Sequence, residues 1–142
     1  MSVPMSGTYL GGLKTELTHG PSGAVIRTAA PVDNQGDGSS FSPTDLVAAA
    51  LAACVVTTMA IVAEREEIPF AGAHFTLEKH MRSDPRRIER VPIRIEMPAG
   101  LDPTQRRKLE FTARSCPVFR SLGEEIEKEI EFVYPDAPAL PD

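Results

Sequence analysis

The chain has 142 residues, 42% of them hydrophobic, a formal net charge of −5 and a pI near 5.2. That length holds a single domain, 1–142, with a core of its own and no need of disulfide or metal staples. The acidic balance argues against nucleic-acid binding, and two cysteines with no leading basic and apolar segment point to the reducing cytoplasm.

Residues 1–7 read as a loose arm. Residues 8–18 alternate loosely, with Tyr9, Leu13 and Leu17 among small and polar side chains, and read as a strand. His19-Gly20-Pro21-Ser22-Gly23 is a turn, and residues 24–30 form the second strand of a hairpin. Residues 33–40 (Asp-Asn-Gln-Gly-Asp-Gly-Ser-Ser) read as a flexible loop.

A helix is expected over 43–66. Ser42 caps it, Pro43 suits its first turn, and Asp45 completes a capping box. From Leu46 to Ala63 no residue is charged, and that run of 18 residues sits at the lower edge for a membrane span. Seven of the 18 are alanine, so the drive to insert is weak and a buried helix is expected, with no membrane partner. A helix apolar on every side needs cover on every side. So small a monomer supplies too little, and an obligate homodimer follows.

Residues 73–82 and 88–97 alternate as two strands around a turn at 83–87. Asp102 and Pro103 open a second helix that runs to about Arg114. Cys116-Pro117 interrupts it, since proline cannot continue a helix without losing a hydrogen bond. A short turn at 117–122, a last strand at 129–134 and a frayed tail from Pro135 complete the chain. The order ββαββαβ gives an α+β fold.

Cys54 lies inside the uncharged helix and Cys116 at a helix junction. A thiolate that attacks a peroxide becomes a sulfenic acid, and a second thiol condenses with it to a disulfide. The other reading of both residues is small buried hydrophobes. Arg27, Arg114 and Arg120 are placed to tune a thiol, or are ordinary surface arginines. His74 and His80 share a strand parity but stand too far apart for easy chelation. His19 falls in a turn, so neither a metal nor a cofactor is expected. Arg82, Arg86, Arg87 and Arg90 surround the second hairpin turn, where charge protects strand edges. Glu124, Glu125, Glu127, Glu129 and Glu131 make an acidic stretch facing water. No phosphate loop, nucleophile elbow or zinc-protease motif is present.

The run Ser42-Pro43-Thr44-Asp45-Leu46 through Ala52-Ala53-Cys54, followed about sixty residues later by Ser115-Cys116-Pro117-Val118, resembles the OsmC/Ohr family. The resemblance spans nearly the whole chain. It implies an OsmC-like fold: an intertwined homodimer in which antiparallel sheets wrap two central helices, with each site at the dimer interface. It also implies a thiol-dependent peroxidase of oxidative stress defence, acting on organic hydroperoxides. Cys54 would be peroxidatic and Cys116 resolving, and a dithiol or a lipoylated protein would be the reductant. Two positions depart from the characterised peroxidase branches. Their glutamate, ten residues before the first cysteine, is Thr44 here. Their first-strand arginine has only Lys14, or Arg27 of the second strand, as counterparts. Asp45 stands nine residues before Cys54, on the opposite side of a regular helix, and serves better as a cap. A divergent member of this kind has an alternative reading, a non-enzymatic binder of a small apolar ligand or a redox sensor.

Overall fold

The structure, a computed structural model, describes residues 1–136. The chain divides into two compact units, Met1–Val47 and Ala48–Asp142.

The first unit is an antiparallel sheet of β1 (Met5–Gly11), β2 (Lys14–His19) and β3 (Val25–Ala29), in that order. The expected loose arm and single strand are instead a hairpin. Gly12 and Leu13 form a two-residue turn with φ of 61° and 62°, the left-handed pair that a primed hairpin turn requires. Gly-Gly was the available turn signal. The register pairs Met5 with His19, Tyr9 with Thr15 and Leu17 with Ile26. Partners share a face, so Met5, Tyr9, Leu17 and Ile26 lie on one side, and Glu16 and Arg27 pair at 2.9 Å on the other.

The segment expected to be flexible is tied down. Residues 32–34 form a 3-10 turn, the Gly36 and Gly38 N–H groups donate to Pro31 and Ala30, and Lys14 pairs with Asp37 at 2.9 Å. A Cβ at Gly36 would overlap the Ala30 carbonyl, so glycine is needed there.

α1 (Pro43–Arg65) begins in the first unit and continues through the second. Ser42 and Asp45 cap it reciprocally: Asp45 N–H donates to Ser42 Oγ at 3.1 Å, and Ser42 N–H to the Asp45 carboxylate at 2.9 Å. It ends before Pro69, with Glu67 in the left-handed region at φ 55°.

In the second unit the expected strands at 73–82 and 88–97 are each split. β4 (His74–Leu77) pairs antiparallel with β7 (Ile93–Glu96), and β5 (His80–Arg82) with β6 (Arg87–Arg90). Pro92, which has no N–H to give a ladder, falls between β6 and β7. α2 (Pro103–Ala113) carries the expected Asp102 cap in a full capping box with Gln105, and α3 (Pro117–Ser121) replaces the expected turn. β8 (Ile130–Val133) pairs with β7 in parallel, so the sheet is mixed and not purely antiparallel. The α+β class stands, with the order βββαββββααβ.

The core of this unit draws on Leu51, Val55 and Met59 of α1, Ile93 and Ile95 of β7, and Leu109 of α2, all at most 2% exposed. On β7, Arg94 and Glu96 alternate outward. The tail is pinned at Asp136, which takes hydrogen bonds from Arg106 at 3.1 Å and from Gly100 N–H at 3.3 Å. The remainder of the tail, residues 137–142, lies outside the described residues.

Candidate thiol site

Both cysteines belong to the second unit, and both are free. α1 buries Ala48, Leu51, Ala52, Val55, Met59 and Ala63. At about 100° per residue these form one stripe, and Cys54 falls on its flank. Cys54 is half-buried, bordering an exposed face of Ala50, Ala53, Thr57 and Ile61 that carries no charge.

Cys116 is 0% exposed. Its place follows from the dipeptide Cys116-Pro117. Proline fits the first turn of α3, and Cys116 becomes the N-cap, its Sγ accepting the Phe119 N–H at 3.2 Å. The junction expected as a helix break is thus also a helix start. A residue with an acceptor side chain followed by proline was the signal for it.

The Cys54 and Cys116 side chains are near enough to influence each other electrostatically. Burial pushes the Cys116 thiol up from its ordinary value. The Phe119 N–H pulls against that, and the neighbouring Cys54 thiol raises it further. Cys116 therefore holds its proton as a buried thiol, while Cys54 is only partly buried.

Asp45 and Thr44 lie at the helix start, with Thr44 Oγ1 at 3.1 Å from Ser42 Oγ. Lys14 opens β2 and Arg27 lies in β3, each with a carboxylate partner. Arg114 caps the end of α2, donating to the Glu110 carbonyl at 3.3 Å, and stands 5.9 Å over the Phe132 ring. Arg120 lies exposed in the last turn of α3.

The histidines are engaged locally. His19 contacts the Ser22 hydroxyl at 2.6 Å, His74 pairs with Glu96 at 3.2 Å, and His80 lies between Glu78 and Arg90. Two arginines of the hairpin cluster do more than solvate a tip. Arg87 donates to the Glu125 carbonyl at 3.0 Å, and Arg90 pairs with Glu129 at 3.2 Å, tying β6 to the acidic stretch. A polar cluster not anticipated from the sequence joins α2 to the end of β8. The Tyr134 hydroxyl donates to Glu110 at 2.5 Å while Arg106 covers its ring at 4.2 Å. Burial first, and then the Glu110 carboxylate, push the Tyr134 hydroxyl well above its ordinary value.

The family model described as "OsmC-like protein" matches residues 36–131. No curated protein matches the chain. A solved structure from Psychrobacter arcticus, named for an osmotic stress induced and detoxification response, is 41% identical and superposes with a TM-score of 0.86, over 90% of this chain and 93% of that one. An organic hydroperoxide resistance protein OsmC from Legionella pneumophila is 18% identical with a TM-score of 0.71, covering 94% and 97% of the two chains. The organic hydroperoxide resistance protein OhrB of Bacillus subtilis is 18% identical with a TM-score of 0.68, covering 93% and 98%. The last two share the fold; the family model and the Psychrobacter structure carry more, and together they establish that the chain belongs to the OsmC-like protein family.

Proposed function

We propose that this protein is a cytoplasmic, homodimeric thiol peroxidase that reduces organic hydroperoxides in oxidative stress defence. The observation that carries the reading is that a partly exposed cysteine, Cys54, lies near enough to a buried, protonated one, Cys116, for the two thiols to influence each other. The hydroperoxide resistance proteins that share the fold support the substrate class.

In the first step the Cys54 thiolate attacks the outer peroxide oxygen. The O–O bond breaks, Cys54 becomes a sulfenic acid, and the alkoxide takes a proton and leaves as an alcohol. The Cys116 sulfur then attacks the sulfenic sulfur, its proton leaves with the hydroxyl as water, and a Cys54–Cys116 disulfide forms. An external dithiol, free or lipoyl-borne on a protein, reduces this disulfide by two exchanges and is itself oxidised to a disulfide. The uncharged surroundings of Cys54 suit an organic peroxide better than a charged one. Asp45 is occupied in capping, so activation of Cys54 in this branch runs without the carboxylate of the characterised peroxidases.

Two features support a homodimer built as one OsmC-like domain per chain. Met5, Tyr9 and Ile26 leave 67%, 64% and 50% of their surface exposed on one sheet face. The outer face of α1, with Ile61 52% exposed, is apolar too. α1 is long and apolar enough to cross a membrane by length and composition. Its buried stripe of six residues is instead that of a core helix, and a second subunit would cover the remainder.

The deciding experiment treats reduced protein with one equivalent of cumene hydroperoxide and follows thiols and mass. Rapid loss of both thiols and two mass units, abolished in Cys54→Ser, is expected. Thiols no more reactive than free cysteine would sink the peroxidase reading.

They would favour a second one, a binder of a small apolar ligand. An apolar groove of about 460 Å³ lined by Val56, Ala60, Ala63, Ile68 and Phe70 is its support. That groove borders the side of α1 away from Cys54, so a ligand there would leave the thiols incidental.

A further inference from the structure

α2 turns two unlike faces. Leu109, Thr112 and Ala113 are buried. On the other side Thr104, Arg107, Phe111 and Arg114 follow one another at helical spacing. Phe111 is 82% exposed, more than any other large apolar side chain among the described residues except the terminal Met1.

The arginines beside it are also unusual. On the same helix, Arg106 pairs with Asp136 at 3.1 Å and Lys108 pairs with Glu66. Among the described residues the Arg107 side chain has only the Thr104 hydroxyl at 3.4 Å, and that of Arg114 only the Glu110 carbonyl and the Phe132 ring. Arg120, exposed in the last turn of α3, follows six residues further along the chain. Among the described residues none of these three meets a carboxylate. In a chain of net charge −5 this is a local excess of positive charge. The helix dipole accounts for Arg114 at the C-terminal end of α2, but not for Arg107 or Phe111.

An aromatic anchor ringed by arginine is the composition of an interface hot spot. This one leads directly into Ser115 and Cys116. A Cys54–Cys116 disulfide must receive two electrons and two protons from a dithiol. We propose that the Arg107–Phe111–Arg114 face of α2 is the docking surface for an acidic protein that carries that dithiol. The proposal rests on the thiol chemistry set out above. The docked dithiol attacks one sulfur of the pair, forming a mixed disulfide and releasing the other cysteine as a thiol. The partner's second thiol then closes the partner's disulfide and releases the remaining cysteine.

The test forms the disulfide with diamide, so no peroxide is needed. Its reduction is then timed with two reductants: an acidic lipoyl domain in its dihydrolipoyl form, and free dihydrolipoamide. For the wild type the domain is expected to be the faster reductant at equal concentration, with a rate that falls as salt rises. Arg107→Glu and Phe111→Ser should each lower kcat/KM for the domain by about tenfold or more and leave the rate with free dihydrolipoamide unchanged. Both side chains are exposed, so neither change disturbs the core. Equal slowing with both reductants, no change with the domain, or a domain no faster than free dihydrolipoamide would overturn the proposal. So would binding of anionic phospholipid vesicles through the same residues in place of the domain. A chain whose thiols do not pair under diamide also overturns it. Pairing under diamide but not under cumene hydroperoxide overturns the peroxidase reading alone.

Discussion

Two identical functional groups near each other are made unlike by their surroundings. Cys116 is enclosed and capped onto the Phe119 N–H, while Cys54 keeps part of its surface in water. An alkylating reagent should therefore take Cys54 well before Cys116 in the folded, reduced protein. Peptide mass mapping after a brief iodoacetamide pulse checks this, and equal labelling would contradict the assigned burial. The same asymmetry sets a pH dependence. In the unfolded chain the Cys116 thiol ionises near its ordinary value of 9.0. Folded, it holds its proton to higher pH, so above that value the unfolded state binds fewer protons and stability falls. The contribution is complete below about pH 9 and is lost as pH rises through the folded value, at no more than about 1.4 kcal/mol per pH unit for one group. Tyr134, also pushed up, extends the decline further into alkali. Urea midpoints of the reduced protein should thus hold level from pH 7 to 9 and drop beyond, with a shallower drop in Cys116→Ala.

At the scale of elements, the capping box of α1 carries the clearest local energetics. Ser42 is 1% exposed and exchanges two hydrogen bonds with Asp45. Asp45→Ala removes one of them and a negative charge from the helix start, and should cost about 1 kcal/mol by denaturant unfolding. Asp45→Asn should recover part of it. If peroxide-driven thiol loss survives in Asp45→Ala, the carboxylate is confined to capping. A loss of that activity with stability intact would make it an active-site acid. Both helix starts were legible because a cap is a local motif: Ser42-Pro43-Thr44-Asp45 and Asp102-Pro103-Thr104-Gln105 each place side chain and N–H three residues apart. The strands were less legible. Alternation predicted residues 8–18 and 73–82 as continuous, whereas breaks at Gly12-Leu13 and between Leu77 and His80 depend on which partner each half pairs with. The parallel pairing of β7 with β8 is non-local, and the periodicity of either strand reads the same in both directions.

At the scale of the molecule, the exposed apolar faces of the sheet and of α1 are the largest unsatisfied feature. Sedimentation equilibrium should return a dimer at micromolar concentration, and Ile61→Lys, at a position 52% exposed on α1, should shift it toward monomer. A wild type that sediments as a monomer would remove the dimer from the proposal. The sequence already led to the expectation of a partner, because 18 uncharged residues in one helix are more than a monomer of 142 residues would be expected to cover. The faces that stay open were not visible, since the helix is apolar all round and its pattern selects no side.

The sequence by itself determined the α+β class, both helix starts and the family to which the chain belongs. These are local patterns: caps, proline positions, a charge-free run and a spaced double motif. Only the tertiary structure decided that the two thiols lie near each other, that Cys116 is the enclosed one, and that Lys14 and Arg27 are bound to carboxylates. Contact, burial and ion pairing join residues far apart in the chain. They are settled by how the elements pack, which no short run of residues encodes.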